Sequence, residues 1–166
     1  MTIRVAIITV SDSAVAGARA DRSGPALEER VQALGWQVIV KKLVRDEMHE
    51  IAREFSALAD SGEIDVVLSS GGTGVALRDV TPEAARSVAQ REVAGFGELM
   101  RSEGRKSTPF AWLSRSSGYI AGATLILTLP GSPRGAVESL QAVAELIPHA
   151  VNLLQGRTEH HEKPGP

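Results

Sequence analysis

Four aspartates, Asp12, Asp21, Asp46 and Asp79, fall at loop positions of a chain that also supplies glycine turns and hydroxyls. The densest concentration lies in Asp65–Ala84, where an aliphatic run is followed by Ser69 and Ser70, then by Gly71-Gly72-Thr73-Gly74 and Asp79. A turn without side chains lets main-chain N–H groups come close to an anion. A carboxylate beside such a turn repels a phosphate unless a cation stands between them, so Asp79 points to Mg²⁺. Two alternatives stay open: the glycines form only a tight connection, and Asp79 only caps the turn ahead of Thr81. The turn is neither a Walker A loop nor a GxGxxG fingerprint.

Other chemistries are poorly supplied. The chain has no cysteine and four histidines, and none of His49, His149, His160 or His161 belongs to a nucleophile arrangement; GxSxG is absent. His160 and His161 read as part of a solvated tail rather than a metal site. Carboxylates at loop positions, glycine turns and hydroxyls suit phosphate esters held through Mg²⁺. Phosphoryl or nucleotidyl transfer needs chiefly in-line positioning and charge neutralisation, and no protein nucleophile.

The elements that must position these groups follow from hydrophobic pattern. Residues 5–10 form an apolar run without alternation, as expected of a strand covered on both faces in a parallel sheet. Residues 14–21 are small and polar and read as a loop. A helix starting at Ser23-Gly24-Pro25 carries Leu27, Val31 and Leu34 at helical spacing and stops at Gly35. A strand over 36–40 follows, then a helix over 48–59 with Ile51, Phe55 and Leu58 on one face. Asp46, just before it, fits a helix cap as well as a ligand.

Residues 64–68 complete a β-α-β-α-β series, which favours right-handed crossovers and a doubly wound sheet. Thr81-Pro82-Glu83 opens a helix to about Gln90, with proline in the first turn, and 93–101 forms another. Residues 101–107 read as a turn or exposed loop. Ser114-Arg115-Ser116-Ser117 can bind an anion or be a solvated turn. Residues 124–129 repeat the buried-strand pattern and end in Pro130-Gly131-Ser132-Pro133, a second strand-turn-helix junction. The helix that follows should be kinked or interrupted by Pro148.

The chain has 166 residues and a net charge of −2, with a pI near 6.1. One α/β domain over 1–156 with a three-layer arrangement and a mostly parallel central sheet is expected, followed by a polar, disordered tail over 157–166. No basic stripe for nucleic acid and no apolar run of membrane-spanning length is present, which fits a cytoplasmic protein. The run near the start is a core strand rather than a signal peptide.

SSGGTG, RDVTPEA, FAWLSRSSG and TLPGSPRGA, in this order and spacing, resemble the molybdopterin-binding proteins of molybdenum cofactor biosynthesis, most of all the bacterial adenylyltransferases of the MogA/MoaB group. The likeness runs from Val5 to about Gly156. It implies a homotrimer of Rossmann-like subunits that transfers AMP from MgATP to the terminal phosphate of molybdopterin, with pyrophosphate released and a molybdate-inserting protein as possible partner. By motif, Asp46 and Asp79 are implied as catalytic and Mg²⁺-holding acids. Gly71, Gly72, Thr73, Gly74, Ser114, Arg115, Pro130, Gly131, Ser132 and Pro133 are implied on the pterin and phosphate side, and Asp12, Asp21 and Ser23 on the nucleotide side. Where many relatives carry proline ahead of the first acid, this chain has Arg45. A non-catalytic molybdopterin carrier using the same pocket is the alternative, and a dinucleotide pyrophosphatase a third reading.

Overall fold

A computed structural model describes residues 2–157. Its elements are β1 (Arg4–Val10), α1 (Asp12–Val15), α2 (Ser23–Ala33), β2 (Gln37–Val44), α3 (Met48–Asp60), β3 (Val66–Ser70), α4 (Thr81–Val88), β4 (Arg91–Val93), α5 (Ala94–Gly104), a 3-10 turn (Pro109–Leu113), β5 (Gly118–Ala121), β6 (Thr124–Leu129), α6 (Pro133–Val143) and α7 (Ile147–Leu154). The strands form one sheet in the order β2-β1-β3-β6-β5-β4. The pairs β1–β2, β1–β3 and β3–β6 are parallel, whereas β5 and β4 run antiparallel at one edge.

Strand period accounts for the three layers. Val5, Ile7, Val66, Leu68, Leu125 and Leu127 point to one face and pack against Leu27 and Val31 of α2, Leu140 of α6 and Val151 of α7. Their neighbours Ala6, Ile8, Val67 and Ile126 point the other way, onto Ile51, Phe55 and Leu58 of α3 and Ala84 and Ala85 of α4. Burial on both faces explains why these strands carry no polar alternation. The expected three-layer α/β fold with a mostly parallel sheet is the one observed.

Several local expectations are corrected. The stretch 14–21, read as loop, is entered by a helical turn over 12–15, because the Ser11 side chain accepts a hydrogen bond from the Ala14 N–H and caps it. β2 runs on to Val44, beyond residue 40. α5 continues to Gly104 through part of the polar stretch expected to be a turn. Of the two outcomes expected at Pro148, the helix is interrupted rather than kinked: α6 ends at Val143, and Pro148 sits in the first turn of α7, where its missing N–H costs nothing. β4 and β5 were not anticipated. Beyond Arg157, the tail expectation and His160 and His161 lie outside the described residues.

β2 is an edge strand, and its Lys41 and Lys42 reach Glu28 at 2.5 Å and Glu54 at 2.7 Å. Asp65, 1% exposed, ties the start of β3 to the start of β1 and to the C-terminal helix. It accepts hydrogen bonds from the Arg4 backbone N–H (2.8 Å), Arg4 Nη2 (2.7 Å) and Gln155 Nε2 (2.8 Å). Burial pushes its carboxyl up, but the hydrogen bonds and charge of Arg4, with Gln155, outweigh it and hold it below the usual value. A depressed folded-state value means stability that is present above the unfolded value of 3.8 and lost as pH falls through the folded one. Asp65→Asn is therefore expected to cost about 2 kcal/mol at neutral pH. In urea titrations at several pH values, the deficit should shrink on acidification below about pH 4.

Candidate functional site

β1, β3 and β6 are adjacent and parallel, so their carboxyl ends meet at one sheet edge, where open α/β folds bind ligands. The turns after β3 and β6 close on each other: Gly71 N–H donates to the Leu129 carbonyl at 3.1 Å, and a Cβ on Gly131 would lie 3.3 Å from Gly71 Cα. Gly71 and Gly72 have φ of +101° and +67°. A Cβ on Gly71 would meet the Val10 carbonyl oxygen at 2.3 Å, and one on Gly72 the Thr81 Oγ1 at 2.3 Å. Glycine is required here by conformation and by space. Thr81 ties the turn to α4, donating from Oγ1 to Gly71 O at 2.9 Å and from its N–H to Gly72 O at 3.1 Å.

A cavity of about 400 Å³ opens over these turns. Asp21, Ser23, Asp46, Gly71, Gly72, Gly131, Ser132 and Pro133 are among its lining residues. Asp21 and Ser23 are held by the start of α2: Asp21 accepts from Gly24 N–H at 3.0 Å and from Thr9 Oγ1 at 3.1 Å, and Ser23 Oγ lies 2.8 Å from Ser70 Oγ. A smaller, mostly apolar cavity of about 190 Å³ is lined by Met100, Phe110, Ser114, Pro130, Ser132 and Glu138, among others. Ser132 borders both; its Oγ caps α6 by accepting from Gly135 N–H at 3.1 Å.

Asp12 and Asp46 form a reciprocal pair between two loops. Asp12 N–H donates to Asp46 Oδ2, and Asp46 N–H donates to Asp12 Oδ1, each at 3.0 Å. The local reading of Asp46 as a helix cap is thereby corrected, since α3 starts after Glu47 and has no side-chain cap. Burial pushes the Asp46 carboxyl up; the Asp12 N–H opposes this, the charges of Asp12 and Asp79 reinforce it, and Arg78 counters them. The Arg78 guanidinium reaches Asp12 Oδ2 at 2.6 Å and Glu47 Oε1 at 3.2 Å, bridging the tip of the 74–79 loop to the opposite wall.

Asp79 stands apart from the lining of either cavity. Its Oδ2 accepts from Ala76 N–H at 2.9 Å, the turn-capping geometry that the local sequence allowed. Thr73 is buried, and its carbonyl accepts from the Arg115 N–H at 2.7 Å. The Arg115 guanidinium, expected near substrate phosphate, is turned onto the same loop: Nε donates to Gly74 O at 2.7 Å, Nη2 to Asp79 O at 2.6 Å, and Nη1 pairs with Glu83. Ser114 Oγ donates to Ser116 Oγ at 2.8 Å.

Arg19 and Arg22, on the first cavity's wall, were missed. Two arginines beside Asp21 in a stretch read as a bland polar loop were the available signal. Among the described residues no three His, Cys, Asp or Glu side chains converge on a metal position. Asp46 instead offers a hard-oxygen carboxylate on the wall of the first cavity, with Asp12 hydrogen-bonded to it, which suits Mg²⁺ arriving on a phosphate ligand, since that ion commonly takes one or two carboxylates plus substrate oxygens.

Glycine turns stacked at the C-terminal edge of a doubly wound sheet, with two carboxylates and two arginines around a cavity, define an α/β protein built for a phosphorylated ligand. Residues 6–149 match the family described as "Probable molybdopterin binding domain", and the chain belongs to that family. It is 40% identical over 157 residues to a molybdopterin adenylyltransferase of Helicobacter pylori, covering 93% of this chain and 89% of the relative. It is 38% identical over 169 residues to the molybdopterin adenylyltransferase of Escherichia coli K12, at 93% and 87% coverage. Among solved structures, the molybdopterin biosynthesis enzyme MoaB of Thermus thermophilus superposes with a TM-score of 0.88 at 46% identity, covering 93% of this chain and 98% of that one.

Proposed function

We propose that this chain is a molybdopterin adenylyltransferase acting in molybdenum cofactor biosynthesis. A terminal phosphate oxygen of molybdopterin attacks the α-phosphorus of ATP, the bond to the β-phosphate oxygen breaks, and adenylyl-molybdopterin and pyrophosphate leave. The observation that carries the reading is the pair of cavities that share Ser132, one half-polar and glycine-floored, the other mostly apolar. The polar chamber suits a nucleotide and its phosphates, with Asp21, Ser23, Arg19 and Arg22 around it. The apolar chamber suits a flat heterocycle between Met100, Phe110 and Pro130, with Ser114 at its edge.

On this reading the N–H groups of Gly72, Thr73 and Gly74 and of Gly131 and Ser132 hold phosphate oxygens in line, and positioning supplies most of the rate. Asp46, with Asp12 beside it, would hold Mg²⁺ on the nucleotide side, and Asp79 would contribute from the adjoining loop. The ion's chemistry is neutralisation of charge on the departing pyrophosphate. Identity to adenylyltransferases over most of the chain supports the activity. A homotrimer, a cytoplasmic location and hand-over to a molybdate-inserting protein belong to the same reading through the family resemblance; among the described residues no helix is long and apolar enough to cross a membrane.

Incubation of the purified chain with molybdopterin and MgATP should release pyrophosphate in step with AMP incorporated into the pterin. Pterin bound with no pyrophosphate released would mark a carrier instead.

A further inference from the structure

The segment from Gly74 to Asp79 has little of its own to hold it. Leu77 is fully exposed and Val75 is 69% exposed, so no apolar burial anchors it. Its internal bonds are one turn, Asp79 N–H to Ala76 O at 3.0 Å and Ala76 N–H to Asp79 Oδ2 at 2.9 Å. Arg78 reaches outward from its tip to the opposite wall, where it meets the exposed carboxylates of Asp12 and Glu47 and, at 3.4 Å, the Asp46 carbonyl.

Arg115 supplies the attachment at the base. Three nitrogens of its planar fork meet three acceptors: Nε takes Gly74 O, Nη2 takes Asp79 O, and Nη1 takes the Glu83 carboxylate. Its backbone N–H adds Thr73 O. The two carbonyls bracket the loop at its first and last residues. Glu83 lies in the first turn of α4, so its grip on Nη1 fixes the fork against a rigid helix, and its other carboxylate oxygen is buried. A lysine ammonium, a point donor on a flexible stem, cannot span these acceptors.

We propose that Arg115, braced by Glu83, is a positioning residue that fixes the 74–79 loop and so sets where the Asp79 carboxylate stands, rather than a ligand of the substrate phosphate. The reaction it serves is the AMP transfer proposed above. A ligand and a positioning residue differ in what Glu83 does: Glu83 pairs with Arg115 on the side away from the loop carbonyls, so its removal matters only if it acts through the guanidinium.

The test uses the full chain with Arg115→Lys, Glu83→Gln and the double variant. Hydrogen exchange of the Ala76 and Asp79 amides in the ligand-free protein should accelerate about tenfold or more in both single variants, because a charge-assisted hydrogen bond is lost. The double variant should be little worse than Arg115→Lys alone, since both act on one contact set. In AMP transfer, kcat should fall by about tenfold or more in both, with KM for molybdopterin and ATP within about threefold of wild type. Unchanged exchange at 76–79, or a molybdopterin KM raised tenfold by Arg115→Lys with kcat intact and Glu83→Gln silent, overturns the proposal. Should Arg115→Lys fail to fold, Glu83→Gln decides by the same two readouts. Wild-type protein that releases no pyrophosphate sinks the adenylyltransferase reading, while the exchange measurement still decides the role of Arg115.

Discussion

Asp46→Asn is expected to lower the rate of AMP transfer by about 10²–10³-fold, the scale on which removal of one preorganised electrostatic group acts, while the free protein remains folded and no less stable. Asparagine keeps an oxygen to accept the Asp12 N–H, and the Asp46 backbone bond to Asp12 does not involve the side chain. The change therefore removes a charge and little else. That charge is disfavoured in the free protein, chiefly by burial and further by Asp12 and Asp79. A carboxyl whose folded-state pKa lies above its unfolded value favours folding at low pH, and that contribution is lost as pH rises through the folded value. At pH 7.5 Asp46→Asn should thus melt at the same temperature as wild type or above it. A cation on the nucleotide is what would make the ionised group tolerable, so the lost charge should appear in catalysis. Steady-state pyrophosphate release beside thermal melts checks both halves; a wild-type rate in the variant removes Asp46 from the chemistry.

Gly71→Ala should be the most damaging single-methyl change at the sheet edge. The residue sits at φ +101°, outside the small left-handed well that L-residues visit, at a cost of about 1–3 kcal/mol. The added Cβ would also lie 2.3 Å from the Val10 carbonyl oxygen, and relief of such overlap in packed surroundings costs about 1–3 kcal/mol more. Because the Gly71 N–H bonds to Leu129 O, any shift carries into the turn after β6 and into both cavities. A loss of about 4 kcal/mol in urea unfolding is expected, with AMP transfer abolished in whatever folds. Gly95→Ala provides the control: nothing lies within 4 Å of its would-be Cβ and its φ is ordinary, so stability should be unchanged or slightly raised. Equal losses at the two glycines would show that close approach of the turns is not what Gly71 serves.

Val5–Val10, Val66–Leu68 and Thr124–Leu129 were legible because strands buried on both faces are dominated by aliphatic residues, with only hydroxyls such as Thr9 and Thr128 among them, and polar or glycine-containing turns mark where each run ends. β4 and β5 were not legible: Arg91–Val93 is three residues long and mostly polar, and Gly118–Ala121 follows a hydroxyl-rich run and offers no period of its own. Such strands are specified by their neighbours, here β6 for β5 and β5 for the edge strand β4. The same divide runs through the site. The glycines could be singled out locally and Asp46 only through the family resemblance, while the Asp12–Asp46 pair joins residues 34 positions apart, and no local pattern encodes that closure. Arg115 shows the same divide. An arginine among serines resembles an anion trap in one dimension, whereas in three its donors face carbonyls 36 and 41 residues away.

The two margins of the sheet are unlike. One ends in β4, three residues long, too short to template another strand. The other is the eight-residue β2, long enough to recruit one, and there Lys41 and Lys42 form ion pairs along it. Burying those cations beneath an incoming strand would strip them of water, so fibre-like growth from this margin is opposed by desolvation. Copies of this chain that associate must therefore meet through side-chain surfaces elsewhere, which leaves the ladder of each subunit closed to its neighbours.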